Sequence, residues 1–155
     1  MAGSVDYFLK IDGIPGESTD SKHGKEIDVE SWSWSESNGG GSGMGSGHGA
    51  GKVTMNDFSF AMRTNKASPK LMLNCANGAH IKDALLTCRK AGKEQQEYLK
   101  IKFSDLLVSS YQTGGSRGDV VPMDSITLSF TKVEFTYSAQ PTSGSPDSRL
   151  RAALR

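Results

Sequence analysis

The apolar residues of this chain recur at every second position in segment after segment, a period that fits strands and excludes long helices. Val5, Tyr7, Leu9 and Ile11 share one face; Ile81 and Leu85, with Thr87, share another; Leu99, Ile101 and Phe103 form a third; Ile126, Leu128 and Phe130 form a fourth. The spacing predicts an all-β chain with one small helix. That helix has Ser68 as its cap, Pro69 at the first helical position, Leu71, Met72, Cys75 and Ala76 on one stripe, and Asn77-Gly78 as its stop. At about two turns it must borrow stability from packing.

Several strands change phase partway. After Ile126, Leu128 and Phe130 the apolar positions move to Val133, Phe135 and Tyr137; after Leu99, Ile101 and Phe103 they move to Leu106 and Val108; after Ile27 and Val29 they move to Trp32 and Trp34. A slip of one residue turns a set of side chains to the opposite face. Either a bulge restores the phase or the two halves of each strand bury opposite faces. Both suit a small β-barrel of two curled antiparallel sheets, and the second leaves apolar side chains for a neighbouring subunit to cover.

The strand Trp32-Ser33-Trp34 puts two indoles on one face and Ser31, Ser33 and Ser35 on the other. It then runs into the glycine-rich segment Asn38-Gly39-Gly40-Gly41-Ser42-Gly43-Met44-Gly45-Ser46-Gly47-His48-Gly49-Ala50-Gly51. A long structureless loop inside a compact domain is usually functional. Phosphate binding is a poor reading of it: Ser46 stands where a P-loop needs its first glycine, Val53 where it needs a hydroxyl, and no frame gives G-x-G-x-x-G. The indoles read as core or interface anchors in preference to a sugar-stacking platform, since mostly serines surround them. The serine face is wettable and weakly sticky.

With 155 residues the chain suits one domain, spanning 1–139 and followed by a flexible tail at 140–155. A net charge of +1 indicates neither a nucleic-acid partner nor an acidic sheath. No apolar stretch is long enough to cross a bilayer and Met1 to Lys10 reads as no signal peptide, so the expectation is a cytoplasmic chain without membrane insertion. Cys75 and Cys88 are too few for a disulfide framework and read as buried free thiols. His23, His48 and His80 stand far apart with no metal spacing, and no serine sits in G-x-S-x-G, so neither enzyme, cofactor nor metal is expected. Ser109 and Ser110 read as hydroxyls serving turns or backbone, and Arg117-Gly118-Asp119 as a glycine-bearing turn. Arg89-Lys90 and Lys93-Glu94 read as a solvated hairpin end around Ala91-Gly92. In the tail, Pro141 to Pro146 reads as a linker and Arg149 to Arg155 as a short basic helix former, of variable, engineered or vector origin.

Gly16-Glu17-Ser18, Asp20, His23 and Glu26-Ile27-Asp28-Val29, followed by Ala50-Gly51-Lys52-Val53, Ser68-Pro69 and Val108-Ser109-Ser110, stand in the order and spacing of a known family. From Tyr7 to about Tyr137 the chain resembles the haemolysin-coregulated proteins, ring-forming tube subunits of the bacterial type VI secretion system. The resemblance implies a homohexameric ring, stacking into a tube, a contractile sheath, a spike or tip protein, and effector cargo in the bore. It also implies export from the cytoplasm through that apparatus without a signal peptide. Carried onto matching positions, it puts Ser33 at a bore-facing site and Ser116 as a second candidate. The glycine-rich segment is then expected to act in ring stacking. The runner-up from another class is a monomeric β-barrel that binds a small ligand or glycan.

Overall fold

A computed structural model describes residues 5–39, 52–91, 95–139 and 149–154. The elements are β1 (Val5–Ile11), β2 (Ile27–Asp28), β3 (Ser31–Ser33), β4 (Glu36–Asn38), β5 (Val53–Met55), β6 (Phe58–Arg63), α1 (Ser68–Asn77), β7 (Ile81–Lys90), β8 (Glu97–Gly114), β9 (Met123–Ser138) and β10 (Arg149–Leu154). The main sheet is antiparallel in the order β2-β1-β7-β8-β9-β6-β3, with β10 also on β9, and β4 and β5 form a separate hairpin. Of the expected stacking segment, only Asn38 and Gly39 fall among the described residues.

β2 and β3 stand at opposite ends of that order yet follow each other in sequence. The Val29 N–H donates to Tyr7 on β1 at 3.0 Å, and the Glu30 N–H donates to Ala61 on β6 at 2.8 Å. Residues 27–33 therefore leave one sheet edge and join the other, which closes the barrel. This exchange is the phase change from Ile27 and Val29 to Trp32 and Trp34.

The phase changes in β8 and β9 have a different cause, shared across three strands. Ile81, Leu106 and Phe130 pair in one row and Asp83, Ser104 and Lys132 in another, while the row between them, Lys82, Asp105 and Thr131, is left out of the ladder. Asp105 takes a left-handed backbone at φ 51. All three strands slip by one residue at the same level, so the registers agree and the sheet folds along a crease. Phe103 and Leu106, on either side, are both buried on the core face. These slips behave as the phase-restoring alternative: both halves of each strand bury the same face. The two curled sheets are halves of one sheet. A second irregularity, an extra residue at Ser109 between Val108 and Ser110, bulges β8 against β9.

The core joins Leu9, Ile27, Phe58, Met62, Leu86, Ile101 and their neighbours, with Phe58, Phe103 and Phe130 packed in series as tilted rings at 4.6 and 4.7 Å between ring centres. On β7 the core face is Ala84, Leu86 and Cys88, so the expected grouping of Ile81 with Leu85 and Thr87 is corrected. Ile81 is buried across the crease, whereas Leu85 and Thr87 point the other way. Cys88 is a buried free thiol, its pKa pushed up to about 12 by burial, while Cys75 is only half-buried.

One charged group expected at a solvated hairpin end is inside, and a histidine is buried beside it. Arg89 is 2% exposed and donates a two-pronged pair of hydrogen bonds to Asp20 at 2.8 and 3.0 Å and a third to Asp6 at 3.1 Å. Its guanidinium lies 4.8 Å from the ring centre of Phe8, and His23 stacks on that ring at 4.5 Å. The His23 Nδ1 is 2.7 Å from Glu26 and its Nε2 2.6 Å from Glu97, so this histidine does have close carboxylates. The cluster ties the loop before β2 to β1, β7 and β8. Gly16 is needed there because a Cβ would stand 2.5 Å from the Glu26 carbonyl oxygen.

The helix runs ten residues, with Pro at its start and Gly78 at φ 64 closing it. Its cap is Ala67, without a side-chain cap bond. Ser68 is instead buried and donates to Asp124 at 2.5 Å, while Asn65 takes the capping role by accepting from the Ala67 N–H at 2.8 Å. Met72 is exposed, not packed as the apolar stripe suggested; Leu71 alone of that stripe is fully buried. Residues 149–154, expected as a helix former, form β10 on the free half of the β9 edge, with Arg151 paired to Glu134 at 2.7 Å. An open strand edge supplies backbone partners that a short exposed helix lacks.

Asp105 carries its left-handed backbone at the usual cost of a non-glycine residue there, so Asp105→Gly should leave the urea midpoint unchanged or raised. Asp105→Val should cost roughly 1–3 kcal/mol, and equal stability of the two variants would remove the crease from the account.

Hydrogen bonding to Arg89 holds the Asp20 carboxyl well below the usual carboxylate range. Burial pushes Asp124 and Glu97 up, but hydrogen bonds from Ser68, Thr113 and Thr64 to the first, and from His23 and Lys100 to the second, leave both lowered. Folded values below the unfolded ones add stability above about pH 4 that is lost as pH falls further. Asp28, raised by burial and by Asp6, Asp20 and Glu30, acts in the opposite sense. The thermal midpoint should fall steeply between about pH 4 and pH 2, and Asp20→Asn should flatten that fall. An unchanged slope in the variant would show that the Arg89–Asp20 pair does not set acid stability.

Candidate functional site

The barrel wall made by β3, β6, β9 and the end of β8 has one dry face and one wet one. Toward the core it presents Phe58, Phe60, Met62, Ile126 and Leu128, all buried. Alternation then fixes what lies outside. One cross-strand row reads Ser31, Ala61, Ser125 and Gln112; the next reads Ser33, Ser59, Thr127 and Ser110. Together they line a shallow concavity of about 360 Å³. Eight adjoining positions carry no charge, and only Gln112 is longer than threonine.

The bulge organises one edge of this surface. By adding Ser109 to β8 it brings both Ser109 and Ser110 against the Thr127 hydroxyl, at 2.7 and 2.6 Å, and Ser109 also donates to Asp57 at 2.6 Å. These hydroxyls serve side-chain contacts between strands, where turn or backbone roles were expected. None adjoins a histidine among the described residues: His23 is engaged by Glu26 and Glu97, and His80 faces Asp105 at 3.4 Å. Among the described residues no group of three or more His, Cys, Asp or Glu is arranged to hold a metal ion. The wall presents a wettable surface of hydroxyls and small neutral side chains.

Ser33 sits in the second row, exposed. Ser116 does not join it. It lies in the turn after β8 and donates to Asp119 at 2.8 Å, beyond the ends of the rows. Ser35 has left the wall and accepts from the Asn56 side chain at 2.7 Å. Both indoles are half-buried. Trp32 packs edge-on to Tyr7 and against Phe58, each 6.2 Å between ring centres, and Trp34 lies 6.1 Å from Phe130 while donating to the Asn56 carbonyl at 3.0 Å.

Sequence reasoning found the β3 serines and missed Ser59, Ala61, Ser125, Thr127, Ser110 and Gln112. The signal was present in the polar half of two alternating segments, Phe58-Ser59-Phe60-Ala61-Met62, which was not read as a strand, and Ser125-Ile126-Thr127-Leu128, which was read only for its apolar half. Which strands adjoin β3 was not readable.

The sequence pattern of the family described as "Type VI secretion system effector, Hcp" matches residues 8–137. Protein hcp1 of Pseudomonas aeruginosa is 51% identical over 145 residues, covering 93% of this chain and 90% of that protein. Among solved structures, Hcp1 from Salmonella typhimurium is 36% identical with a TM-score of 0.80, covering 97% of this chain and 94% of its own. A type VI secretion system effector from Yersinia pestis is 35% identical with a TM-score of 0.78, covering 96% of this chain and 98% of its own. A match that spans the hydroxyl wall and the core behind it makes this chain a member of the Hcp family of type VI secretion proteins.

Proposed function

We propose that this chain is a tube subunit, six copies of which close into a ring with the hydroxyl wall facing the bore. Rings stack into a tube that a contracting sheath drives out of the cell behind a tip protein, with effector cargo held inside. The observation that carries this reading is the uncharged concave wall of eight small or neutral side chains. A bore that must pass or hold folded cargo needs wetting without strong adhesion. Small hydroxyls supply that, since they keep water at the surface and offer little apolar area for a partner to bury. The action is mechanical and requires no reactive group. The protein starts in the cytoplasm and leaves through the apparatus itself, with neither nucleic acid nor membrane insertion involved.

Ser33 is the residue to test, because a bore side chain carries little contact between subunits. Ser33→Arg or Ser33→Gln should leave the ring fraction in light scattering unchanged and lower retention of co-purifying effector at least tenfold. Loss of the ring itself would put Ser33 at a subunit contact and turn the wall the wrong way. Ser116→Arg, farther from the rows, should have the smaller effect on cargo.

The glycine-rich segment 38–51 takes the stacking role in this reading. Its fourteen residues can span roughly 50 Å at about 3.5 Å each, enough to reach an adjoining ring. Shortening Gly39 to Gly49 to a few residues should leave rings intact while tube yield and export fall. Normal tubes from that deletion would reduce the segment to a connection.

A further inference from the structure

Among the described residues, two apolar surfaces expose more than one large side chain, and they lie at opposite ends of one strand. The first is a shelf. β9 runs on past the closing strand, so Phe135 and Tyr137, on the core side of the sheet, remain 37% and 41% exposed. β10 extends the same face by setting Leu150 beside Tyr137 and Leu154 beside Val133, themselves 67% and 38% exposed. Trp34 and Glu36 border the groove of about 260 Å³ that results. The second surface is on α1, where Met72 and Leu73 are 54% and 56% exposed, with Lys70 exposed on the same helix, Lys66 exposed just before it and no carboxylate on the helix.

These surfaces are far apart. The first residue of α1 is bonded to Asp124, and Phe135 lies eleven residues farther along β9, roughly 35 Å of strand at about 3.3 Å per residue. A contact between two different surfaces of identical chains runs head to tail, the arrangement that closes rings. We propose that the Met72–Leu73 face of α1 in one copy docks on the Phe135–Leu150 shelf of the next, and that this is the lateral contact of the ring; the inference rests on the ring reading above. The chemistry of the two sides matches. An amphipathic helix face meets an apolar groove, and Lys70 of the helix meets Glu36 at the rim. The exposed shelf side chains offer roughly 300 Å² against about 800 Å² per partner in a standard interface, which makes them the dry centre of the contact with a polar rim around it.

Leu73→Glu spoils the helix face and leaves the shelf intact; Leu150→Glu spoils the shelf and leaves the helix intact. Both sites are exposed, so circular dichroism should report an unchanged fold, with Tyr137→Glu as a second shelf variant. At 100 µM (about 10⁻⁴ M, where weak single contacts still register), each variant alone should be monomeric in light scattering. An equal mixture should form dimers and stop there, because one good contact remains per pair. Variants that still form rings, or that lose rings but give no dimer on mixing, would overturn the helix-to-shelf contact while leaving the ring reading standing. Intact rings that no longer stack would also overturn it, by moving the contact between rings. If the unaltered chain is itself only monomeric at this concentration, the ring reading fails with it.

Discussion

Residues 27–33 exchange one set of backbone partners for another within two peptide units, and the rest of the architecture depends on that exchange. Val29 still belongs to the β1 edge and Glu30 already belongs to the β6 edge. Without the switch the main sheet would have two long open edges, each a row of unpaired backbone groups. With it, the wall closes around Leu9, Ile27, Phe58 and Met62, all fully buried. The crease at Asp105 is the counterpart on the far side. A closed sheet this small must turn sharply somewhere, and three strands turn together where one residue accepts a left-handed backbone.

Closure also separates the jobs of the two faces. Along the β3-β6-β9 wall the inward positions pack on the core, and of the outward ones only those at the bulge, Ser110 and Thr127, are tied by cross-strand hydroxyl bonds. The outward positions are filled with serine, threonine, alanine and glutamine. Large apolar residues there would make a sticky exposed patch, which the serine, threonine, alanine and glutamine of this face avoid. Charge pairing is done elsewhere: the Arg89 ion pairs, together with the His23 hydrogen bonds, pin the loop before β2 around the ring of Phe8. Removing one member of such a buried pair is costly because its partner stays behind as an uncompensated charge.

Much of this was legible in the residues. Period-two patterns gave β1, β8 and β9, Pro69 and Gly78 bracketed the helix, and the serine face of the Trp32-Ser33-Trp34 strand supplied the first row positions of the hydroxyl wall. What was hidden depended on neighbours far away in sequence. Arg89 looks solvated until Asp20 and Asp6, remote in sequence, fold against it, and His23 finds its second carboxylate only when Glu97 on β8 comes alongside. The phase slips of β8 and β9 were visible, but their agreement in one row was not, because register is a property of pairs of strands. The arginine-rich end of the chain has helix-forming residues, and the free edge of β9 decided its conformation instead.

The central claim is that the hydroxyl wall faces inward and the opposite face of the barrel outward. Nitroxide labels at Ser33→Cys and, separately, at Lys102→Cys, both in a Cys75→Ala background, report this through electron–electron distances between subunits of an assembled ring. Lys102 lies on the outer face of the other half of the sheet, paired with Leu85 and Glu134. In a symmetric ring, neighbouring labels lie closer together the nearer they are to the axis. The account predicts a shorter nearest-neighbour distance for Ser33 than for Lys102. A longer distance for Ser33 would put the hydroxyl wall on the outside of the ring and contradict it.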